Sequence, residues 1–211
     1  MVVLGVVAVA VLAYFLGSLP TAYLVGKLHG VDIREHGSGN VGMTNAWRVL
    51  GWKAGVFVGL VDIGKGLLAV LLVAKLHPTS GLDQVYYGIV AGVGAIAGHV
   101  FNPWLRFRGG KGVATGAGVL LGLMPIPVGI CALVFAVAFL STWTVSVGSL
   151  SAAAALPLSV FLLDRLSPLS FHPALLWLSV GLWAFVTWTH RSNIRRLLRG
   201  EELSFRRKRG R

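Results

Sequence analysis

Apolar residues occupy most of this chain in long blocks, and short polar segments separate the blocks. The blocks are long enough to be membrane spans and lack the polar stripe of an amphipathic surface helix. The pattern therefore predicts an all-α, polytopic integral membrane protein with about seven transmembrane helices. The expected hydrophobic segments are residues 2–26, 54–76, 85–105, 112–124, 126–142, 145–163 and 173–189.

Two of these segments need further interpretation. The first resembles a signal peptide in hydrophobicity, but it has no preceding basic residue and no small-residue cleavage site, which favours a span. The fourth is short, because about 20 residues are needed to cross the hydrocarbon core. It ends at Pro125 and Pro127, which favour the start of a new helix. We expect residues 112–142 to form a hairpin that reaches the far side of the membrane, with a re-entrant hairpin as the alternative.

Charge predicts an orientation for these spans. Only 12% of the residues are charged, about half of the ~25% that is usual in soluble domains. The net charge is +12, and 16 of the 19 lysines and arginines follow the first, third or seventh segment. Because basic loops stay in the cytoplasm, the N-terminus is expected outside and the C-terminus in the cytoplasm. The excess of basic residues fits membrane lipids as partners rather than nucleic acid.

The chain offers little chemistry for metals or redox reactions. Its one cysteine, Cys131, lies within an apolar segment, and its few carboxylates show no ligand spacing. We therefore expect no metal and no cofactor. The organisation that we expect is one membrane-embedded domain, residues 1–205, followed by a basic cytoplasmic tail at residues 206–211.

The polar segment after the first span is rich in glycine. Residues 36–45 read His-Gly-Ser-Gly-Asn-Val-Gly-Met-Thr-Asn. Closely spaced glycines let backbone N–H groups point into one concavity that can hold an anion. A short helix expected from Met43 onward favours negative charge at its N-terminus. The alternative is a flexible loop. The side chains that can add donors are Ser38, Thr44, Asn45 and Arg48.

A second glycine-rich segment follows the third span. Gly109-Gly110-Lys111-Gly112 stands directly before an apolar helix, without the strand and the full spacing of a nucleotide-binding loop. Bare amides at a helix N-terminus and a lysine point charge are nevertheless suited to phosphate. Arg106 and Arg108 are interpreted as charges that set the membrane topology. For His99, a structural role and a site role both remain open.

Two further groups of polar residues complete the candidates. Residues 190–205 predict an amphipathic basic helix at the interface that ends near Gly200. His190 and Asn193 are three residues apart on one face of that helix, which is typical of a site. Inside the membrane, Asp62 and Lys65 are also three residues apart. Charges at this depth are costly, so the pair is either functional or holds neighbouring helices together.

The segments, in this order, resemble the bacterial acyl-phosphate:glycerol-3-phosphate acyltransferases over about residues 12–205. The resemblance is specific because three motifs recur together. In the first motif the matching residues are Ser38, Asn40, Gly42, Thr44, Asn45 and Arg48. In the others they are Gly98, His99 and Gly109 to Thr115, then His190, Arg191, Asn193, Ile194, Arg196, Leu197, Gly200 and Glu201, with Asp62, Lys65 and Gly66 at a further family position.

The resemblance implies a reaction that composition does not show. An acyl group is expected to move from acyl phosphate to the 1-hydroxyl of glycerol 3-phosphate, giving lysophosphatidic acid and phosphate in bacterial phospholipid synthesis. The expected location is the bacterial inner membrane, with the active site at the cytoplasmic face. The oligomeric state and the preferred acyl chain stay open. Alternatives from other classes are an anion transporter, which favours a site at the midplane, and a lipid-phosphate phosphatase.

The expected mechanism is direct transfer without an acyl-enzyme. No histidine has an aspartate four residues further on, and no Gly-x-Ser-x-Gly elbow is present. The substrate phosphate is the expected base, with His190 as the second candidate. The predicted catalytic residues are Ser38, Arg48, Lys111, His190 and Asn193. The predicted substrate-binding residues are Gly39, Asn40, Gly42, Thr44, Asn45, Gly109, Gly110, Gly112, Thr115 and Ser149.

Overall fold

The structure is a computed structural model that describes residues 2–76 and 82–205. Across these two ranges it contains α-helices, 3-10 turns and no strand, which confirms the predicted all-α class. The tail predicted at 206–211 lies outside the described residues. The chain divides into two compact units, Met1–Pro125 and Ile126–Arg211.

The first unit is built from helices of very different lengths. Its α-helices are α1 (Val2–Gly17), α2 (Thr21–Leu28), α3 (Met43–Leu50), α4 (Trp52–Leu71), α5 (Gln84–Val100) and α6 (Val113–Leu123). Short 3-10 turns lie at Ile33–Glu35, Val73–Lys75 and Pro103–Leu105. The short helix expected from Met43 onward is confirmed as α3.

The first hydrophobic segment is broken, in contrast to the continuous span predicted at 2–26. α1 stops before Pro20 and α2 starts after it, because proline has no N–H with which to continue the helical ladder. In this break the carbonyl oxygen of Leu19 accepts a hydrogen bond from Lys65 Nζ of α4 at 3.0 Å. The break therefore provides an anchor for a buried side chain from another helix.

Glycines allow the helices of the first unit to approach until their backbones touch. A Cβ atom on Gly98 of α5 would overlap the carbonyl oxygen of Tyr14 in α1. A Cβ atom on Gly118 of α6 would likewise overlap the carbonyl oxygen of Ile63 in α4. Small residues at such crossings are the usual means of packing helices in a membrane, where lipid tails compete with apolar side chains.

The second unit contains four helices in its described part. They are α7 (Pro125–Thr142), α8 (Val145–Leu166), α9 (Pro173–Thr189) and α10 (Arg191–Leu198). Gly200 adopts a φ of +70° after α10, as a helix C-terminus favours, and the predicted basic helix ending near this residue is confirmed. The chain then returns to the α7–α8 connection, where Phe205 N donates to the carbonyl oxygen of Trp143 at 2.8 Å.

Each of the seven predicted hydrophobic segments contains an apolar helix. Within residues 2–76 and 82–205, five stretches are long and apolar enough to cross a membrane: Val2–Leu28, Trp52–Lys75, Gln84–Leu105, Pro125–Thr142 and Val145–Leu166. The helices Val113–Leu123 and Pro173–Thr189 are shorter. The number of crossings and their orientation therefore stay predictions. Outward-facing apolar side chains such as Leu60 and Leu133, 65% and 66% exposed, fit a hydrocarbon solvent.

Candidate active site

The first glycine-rich segment is shaped from inside by Asn45. This side chain is fully buried. Its Nδ2 atom donates to the carbonyl oxygens of Ile33 and His36, both at 3.0 Å, and its Oδ1 atom accepts from Ser38 N at 2.8 Å. Because both amide hydrogens are used by the backbone, this geometry favours a role in shaping the segment over the substrate contact that the sequence predicted.

Four glycine amides that we expected to bind an anion already donate to protein carbonyls. Gly39 N donates to His36 O at 3.0 Å, and Gly42 N donates to Asn40 O at 3.2 Å. In the second segment, Gly109 N donates to Val100 O at 2.9 Å and Gly110 N to His99 O at 3.2 Å. These bonds fold the two segments, so the phosphate donors that we still consider are side chains and the starts of α3 and α6.

The starts of α3 and α6 remain suited to an anion. Gly42 precedes α3 and Gly112 precedes α6, and no side chain in the described part of the chain caps either helix start. Lys111 stands beside Gly112 and is partly exposed, as are Thr44 and Arg48 in α3. Helix N-termini and basic side chains both favour phosphate, which keeps these groups as candidates for binding it.

The two glycine-rich segments meet at Gly110. A Cβ atom on this residue would come within 2.6 Å of the carbonyl oxygen of Val41 and would overlap Nε2 of His99. The first segment and the second segment are therefore in direct contact within the first unit. Ser38, which is exposed, and Asn40 lie on the first segment, and Lys111 follows the contact on the second.

Thr115 lies in the first turn of α6 and is fully buried. Its hydroxyl has no hydrogen-bond partner among the described residues. Its carbonyl oxygen lies against Gly66 of α4, where a Cβ atom would overlap it. This position favours helix packing rather than the substrate contact that the sequence predicted for Thr115.

A cluster of polar side chains lies inside the first unit, which we call the Asp62 cluster (Thr21, Asp62, Lys65 and His99). Lys65 Nζ is 2.8 Å from Asp62 Oδ1, so the pairing expected from their spacing is confirmed. The same oxygen accepts from Thr21 Oγ1 at 3.3 Å and lies 3.7 Å from His99 Nδ1. Asp62, Lys65 and His99 are 2%, 3% and 7% exposed, so the charges are shielded from water.

A surface cavity of about 700 Å³ adjoins the first glycine-rich segment. Arg34, beside it, stacks over the Tyr23 ring at 4.8 Å and forms a two-point ion pair with Asp32, 2.7 Å between Nη2 and Oδ2. The Arg34 guanidinium holds the pKa of Asp32 well below its usual range, and the carboxylate raises the pKa of Arg34. The residues that line the cavity are Tyr23, Arg34, Glu35, Gly39, Trp104, Leu105, Arg106 and Arg108.

Three predicted site residues, Ser149, His190 and Asn193, belong to the second unit, and all three are buried. His190 Nδ1 lies 2.8 Å from the carbonyl oxygen of Val186. Because a carbonyl only accepts, the neutral ring carries its hydrogen on Nδ1 and presents Nε2 as its acceptor. A ring held in this tautomer can accept a hydroxyl proton.

The second unit also holds a cluster that we call the Glu202 cluster (Ser146, Asn193, Arg196 and Glu202). Glu202 Oε1 accepts from Ser146 Oγ at 2.8 Å and from Asn193 Nδ2 at 2.5 Å, and Oε2 accepts from Arg196 Nε at 2.7 Å. Burial alone would raise the pKa of Glu202, but the hydrogen bonds from Asn193, Arg196 and Ser146 outweigh it and lower the pKa.

The sequence interpretation did not single out Glu202, the residue at the centre of this cluster. We matched its neighbour Glu201 to the third motif. The structure exposes Glu201 and packs Glu202 against the predicted site residue Asn193. Two neighbouring glutamates after a glycine look alike in a sequence. The hydrogen-bonding side chains of Ser146, Asn193 and Arg196 become visible as one group only in the fold.

Helices that are apolar outside and enclose a buried ion pair define an integral membrane protein. A family model described as glycerol-3-phosphate acyltransferase matches residues 7–200. The chain belongs to the glycerol-3-phosphate acyltransferase family, as its motifs led us to expect.

Relatives and solved structures agree with this family. A glycerol-3-phosphate acyltransferase of Chlorobaculum parvum is 42% identical, covering 92% of this chain and 94% of its own. That of Salinibacter ruber is 45% identical, covering 92% and 90%. The crystal structure of PlsY (YgiH), an integral membrane glycerol 3-phosphate acyltransferase, in its glycerol 3-phosphate form has a TM-score of 0.85 and 34% identity, covering 95% and 96%. Its lysophosphatidic acid form has a TM-score of 0.83 and 34% identity, covering 95% of each chain.

Proposed function

We propose that this protein transfers an acyl group from an acyl phosphate to the 1-hydroxyl of glycerol 3-phosphate, releasing lysophosphatidic acid and phosphate. The observation that carries the proposal is the contact of the two glycine-rich segments at Gly110, beside Lys111. Both substrates bear phosphate, and this part of the chain offers cationic and hydroxyl side chains. Solved relatives named for glycerol 3-phosphate and lysophosphatidic acid forms support the acceptor and the product.

In the proposed mechanism, Lys111, Arg48 and Ser38 bind the donor phosphate. They stabilise the negative charge that grows on the leaving phosphate and on the carbonyl oxygen in the transition state. Lysine supplies a point charge, and arginine supplies several N–H donors. The arginines around the nearby cavity, Arg106 and Arg108, raise the local concentration of anionic substrates.

The acceptor is positioned by His190 and Asn193 in this proposal. The 1-hydroxyl oxygen attacks the acyl carbon, the new ester bond forms, and the bond from the acyl carbon to the bridging phosphate oxygen breaks. The hydroxyl proton passes to an oxygen of the departing phosphate. His190 is the second candidate for this proton, because Val186 holds the ring with Nε2 as its acceptor.

We further propose that the protein lies in the bacterial inner membrane with seven crossings, its N-terminus outside and its active site at the cytoplasmic face. The distribution of basic residues supports this orientation. A fluorescent protein fused to the C-terminus is expected to fluoresce, since it folds in the cytoplasm. A dark fusion on a stably inserted chain would contradict the orientation.

The reaction is tested on purified protein in detergent with palmitoyl phosphate and glycerol 3-phosphate. We expect phosphate and lysophosphatidic acid to appear in equal amounts. Lys111→Ala is expected to lower kcat/KM by about 100-fold or more, the range seen when one charge-stabilising donor is removed. Lys53→Ala, which removes an exposed lysine that stacks near Trp52, is the matched control and should retain activity.

Other outcomes separate the alternatives. Phosphate released without an acylated product would identify a phosphatase instead. An absence of turnover by folded protein would reject the enzyme and direct attention to transport, for which uptake into proteoliposomes is the measurement.

A further inference from the structure

The His99 ring lies between the Asp62 cluster and the second glycine-rich segment. Its Nδ1 atom is 3.7 Å from Asp62 Oδ1. Its Nε2 atom lies against Gly110, where a Cβ atom would overlap it. One buried ring therefore contacts both a carboxylate of α4 and the residue that precedes Lys111.

The backbone of His99 supports the same segment. Gly110 N donates to the carbonyl oxygen of His99, and Gly109 N donates to that of the next residue, Val100. The carbonyl oxygen of Val41 touches Gly110 from the first segment. The position of Gly110 is thus set by α5, by the His99 ring and by the first glycine-rich segment together.

Asp62 lies beside the His99 ring, with 3.7 Å between Oδ1 and Nδ1. The aspartate is itself fixed by Lys65 at 2.8 Å and by the Thr21 hydroxyl at 3.3 Å. Lys65 is anchored in turn to the carbonyl oxygen of Leu19 at 3.0 Å. Separating the buried Asp62–Lys65 pair costs much free energy, because each charge is then buried without its partner.

We propose that His99 is a positioning residue. Its ring packs between Asp62 and Gly110, and so holds Lys111 and the start of α6 in place for phosphate. This inference rests on the proposed function. His99 acts through the segment and does not touch the substrate. Supporting groups of this kind hold the binding residues in their productive geometry, so we expect the loss of His99 to weaken substrate binding.

A double-mutant cycle tests the contact. His99→Ala is expected to raise the KM for one or both substrates by about tenfold, with a smaller effect on kcat. Gly110→Ala alone forces a Cβ atom against the ring and against the carbonyl oxygen of Val41, and only the first of these clashes is removed by His99→Ala. In the His99→Ala background its effect on KM is expected to be at least about fivefold smaller, the non-additivity that contacting residues show.

Gly109→Ala is the matched control in both backgrounds. Its Cβ atom would meet the carbonyl oxygens of His99 and Val100 rather than the ring. Its effect should therefore be the same with and without the imidazole. The inference would be overturned if His99→Ala changed the effect on KM of both glycine variants equally. It would also be overturned if His99→Ala left the effect of Gly110→Ala on KM unchanged.

A second variant keeps the inference testable when Gly110→Ala does not fold. Asp62→Asn/Lys65→Met removes the ion pair without leaving a single charge. In folded protein, we expect the same rise in KM as for His99→Ala, and an unchanged KM would overturn the inference.

A binding measurement separates this inference from the proposed function. Inorganic phosphate should raise the unfolding temperature of wild-type protein, and the increase should be lost in His99→Ala. An absence of turnover in wild-type protein would reject the proposed function alone. The role of His99 is still tested by the change in unfolding temperature on adding phosphate. An equal shift in both proteins would reject the positioning role, whatever the reaction.

Discussion

The Asp62 cluster of the first unit and the Glu202 cluster of the second are built in different ways. Thr21, Asp62 and His99 come from α2, α4 and α5, so long stretches of chain must fold before the cluster forms. The Glu202 cluster takes three of its four members from residues 193–202. The first is buried among helices that we expect to cross the membrane. The second has a partly exposed arginine, with a third of its side chain accessible.

The difference in burial between the two clusters determines how much stability is lost when one polar group is removed. In the first cluster, removing either Asp62 or Lys65 leaves the other charge buried without its partner. In the second, water can replace part of a lost interaction at Arg196. We therefore expect single variants of Asp62 or Lys65 to act mainly on folding. Variants of the second cluster should act on folding less, and they should disturb the predicted site residue Asn193.

The largest expected effect comes from breaking the Asp62–Lys65 pair on one side. Asp62→Asn leaves the Lys65 ammonium without its carboxylate, which is expected to cost about 3–5 kcal/mol. The apparent unfolding temperature in detergent measures the effect. Asp62→Asn/Lys65→Met is the control, because it removes both charges and should recover much of the loss. A single variant as stable as the wild type would contradict the structural importance of the pair.

A smaller effect on stability is expected from Glu202→Ala, which tests whether Glu202 rather than Glu201 supports Asn193. Losing the carboxylate leaves Asn193 and Arg196 without this acceptor, at an expected cost of about 1–3 kcal/mol. Glu201→Ala should change stability by less than about 0.5 kcal/mol, because the side chain is exposed. Unfolding temperatures and turnover of both variants provide the comparison. Equal effects, or a larger effect of Glu201→Ala, would be inconsistent with the structure.

The two clusters also mark the limit of prediction from sequence. Apolar blocks predicted the helical segments, and Pro125 correctly marked the start of α7, because these features depend on local sequence. The spacing of Asp62 and Lys65 predicted their pairing. The approach of His99 to Asp62 was not predicted, since the contact joins α4 to α5 and leaves no periodic signal.

The hydrogen bonds of the glycine amides were also not predicted from the sequence. Glycine spacing suggested free amides, but which carbonyl each amide meets depends on tertiary contacts. Gly110 faces the carbonyl oxygen of His99 and Asn45 fills the interior of its own segment. In both segments the fold uses groups that a motif alone assigns to substrate.

The contribution of Glu202 to the stability of the protein should depend on pH. Because its hydrogen bonds lower the pKa of Glu202, the ionised carboxylate adds stability above its ordinary pKa of 4.5. That contribution is lost as the pH falls below 4.5 through the lowered value. The unfolding temperature of the wild type should exceed that of Glu202→Gln at pH 7, and the difference should shrink at pH 4 and below.

The comparison with Glu202→Gln is needed because Asp32 also has a lowered pKa. Acid therefore weakens the first unit as well, through the Asp32–Arg34 pair. Subtracting the variant from the wild type isolates the contribution of Glu202. A difference that stays constant or grows as the pH falls would refute the assigned direction of the pKa change.

The smallest effect is expected at Thr115, where the first unit keeps a buried hydroxyl without a hydrogen-bond partner among the described residues. Thr115→Val keeps the shape and removes this unsatisfied group, so the variant should be as stable as the wild type or up to about 1 kcal/mol more stable. Turnover is not expected to change, because the backbone of Thr115 packs against Gly66 of α4 and this position favours helix packing. Ser38→Ala, at an exposed position, is the matched control and should lower kcat/KM.

A tenfold or greater loss of kcat/KM in folded Thr115→Val would instead show that the hydroxyl reaches substrate, as its place in the second motif suggested. Either result sharpens the contrast between the clusters. In the Asp62 cluster each described polar group has a partner, and the loss of one is costly. Thr115, four residues beyond Lys111, has no such partner in the part of the chain that the structure describes. Its replacement therefore separates what helix packing requires from what phosphate binding requires.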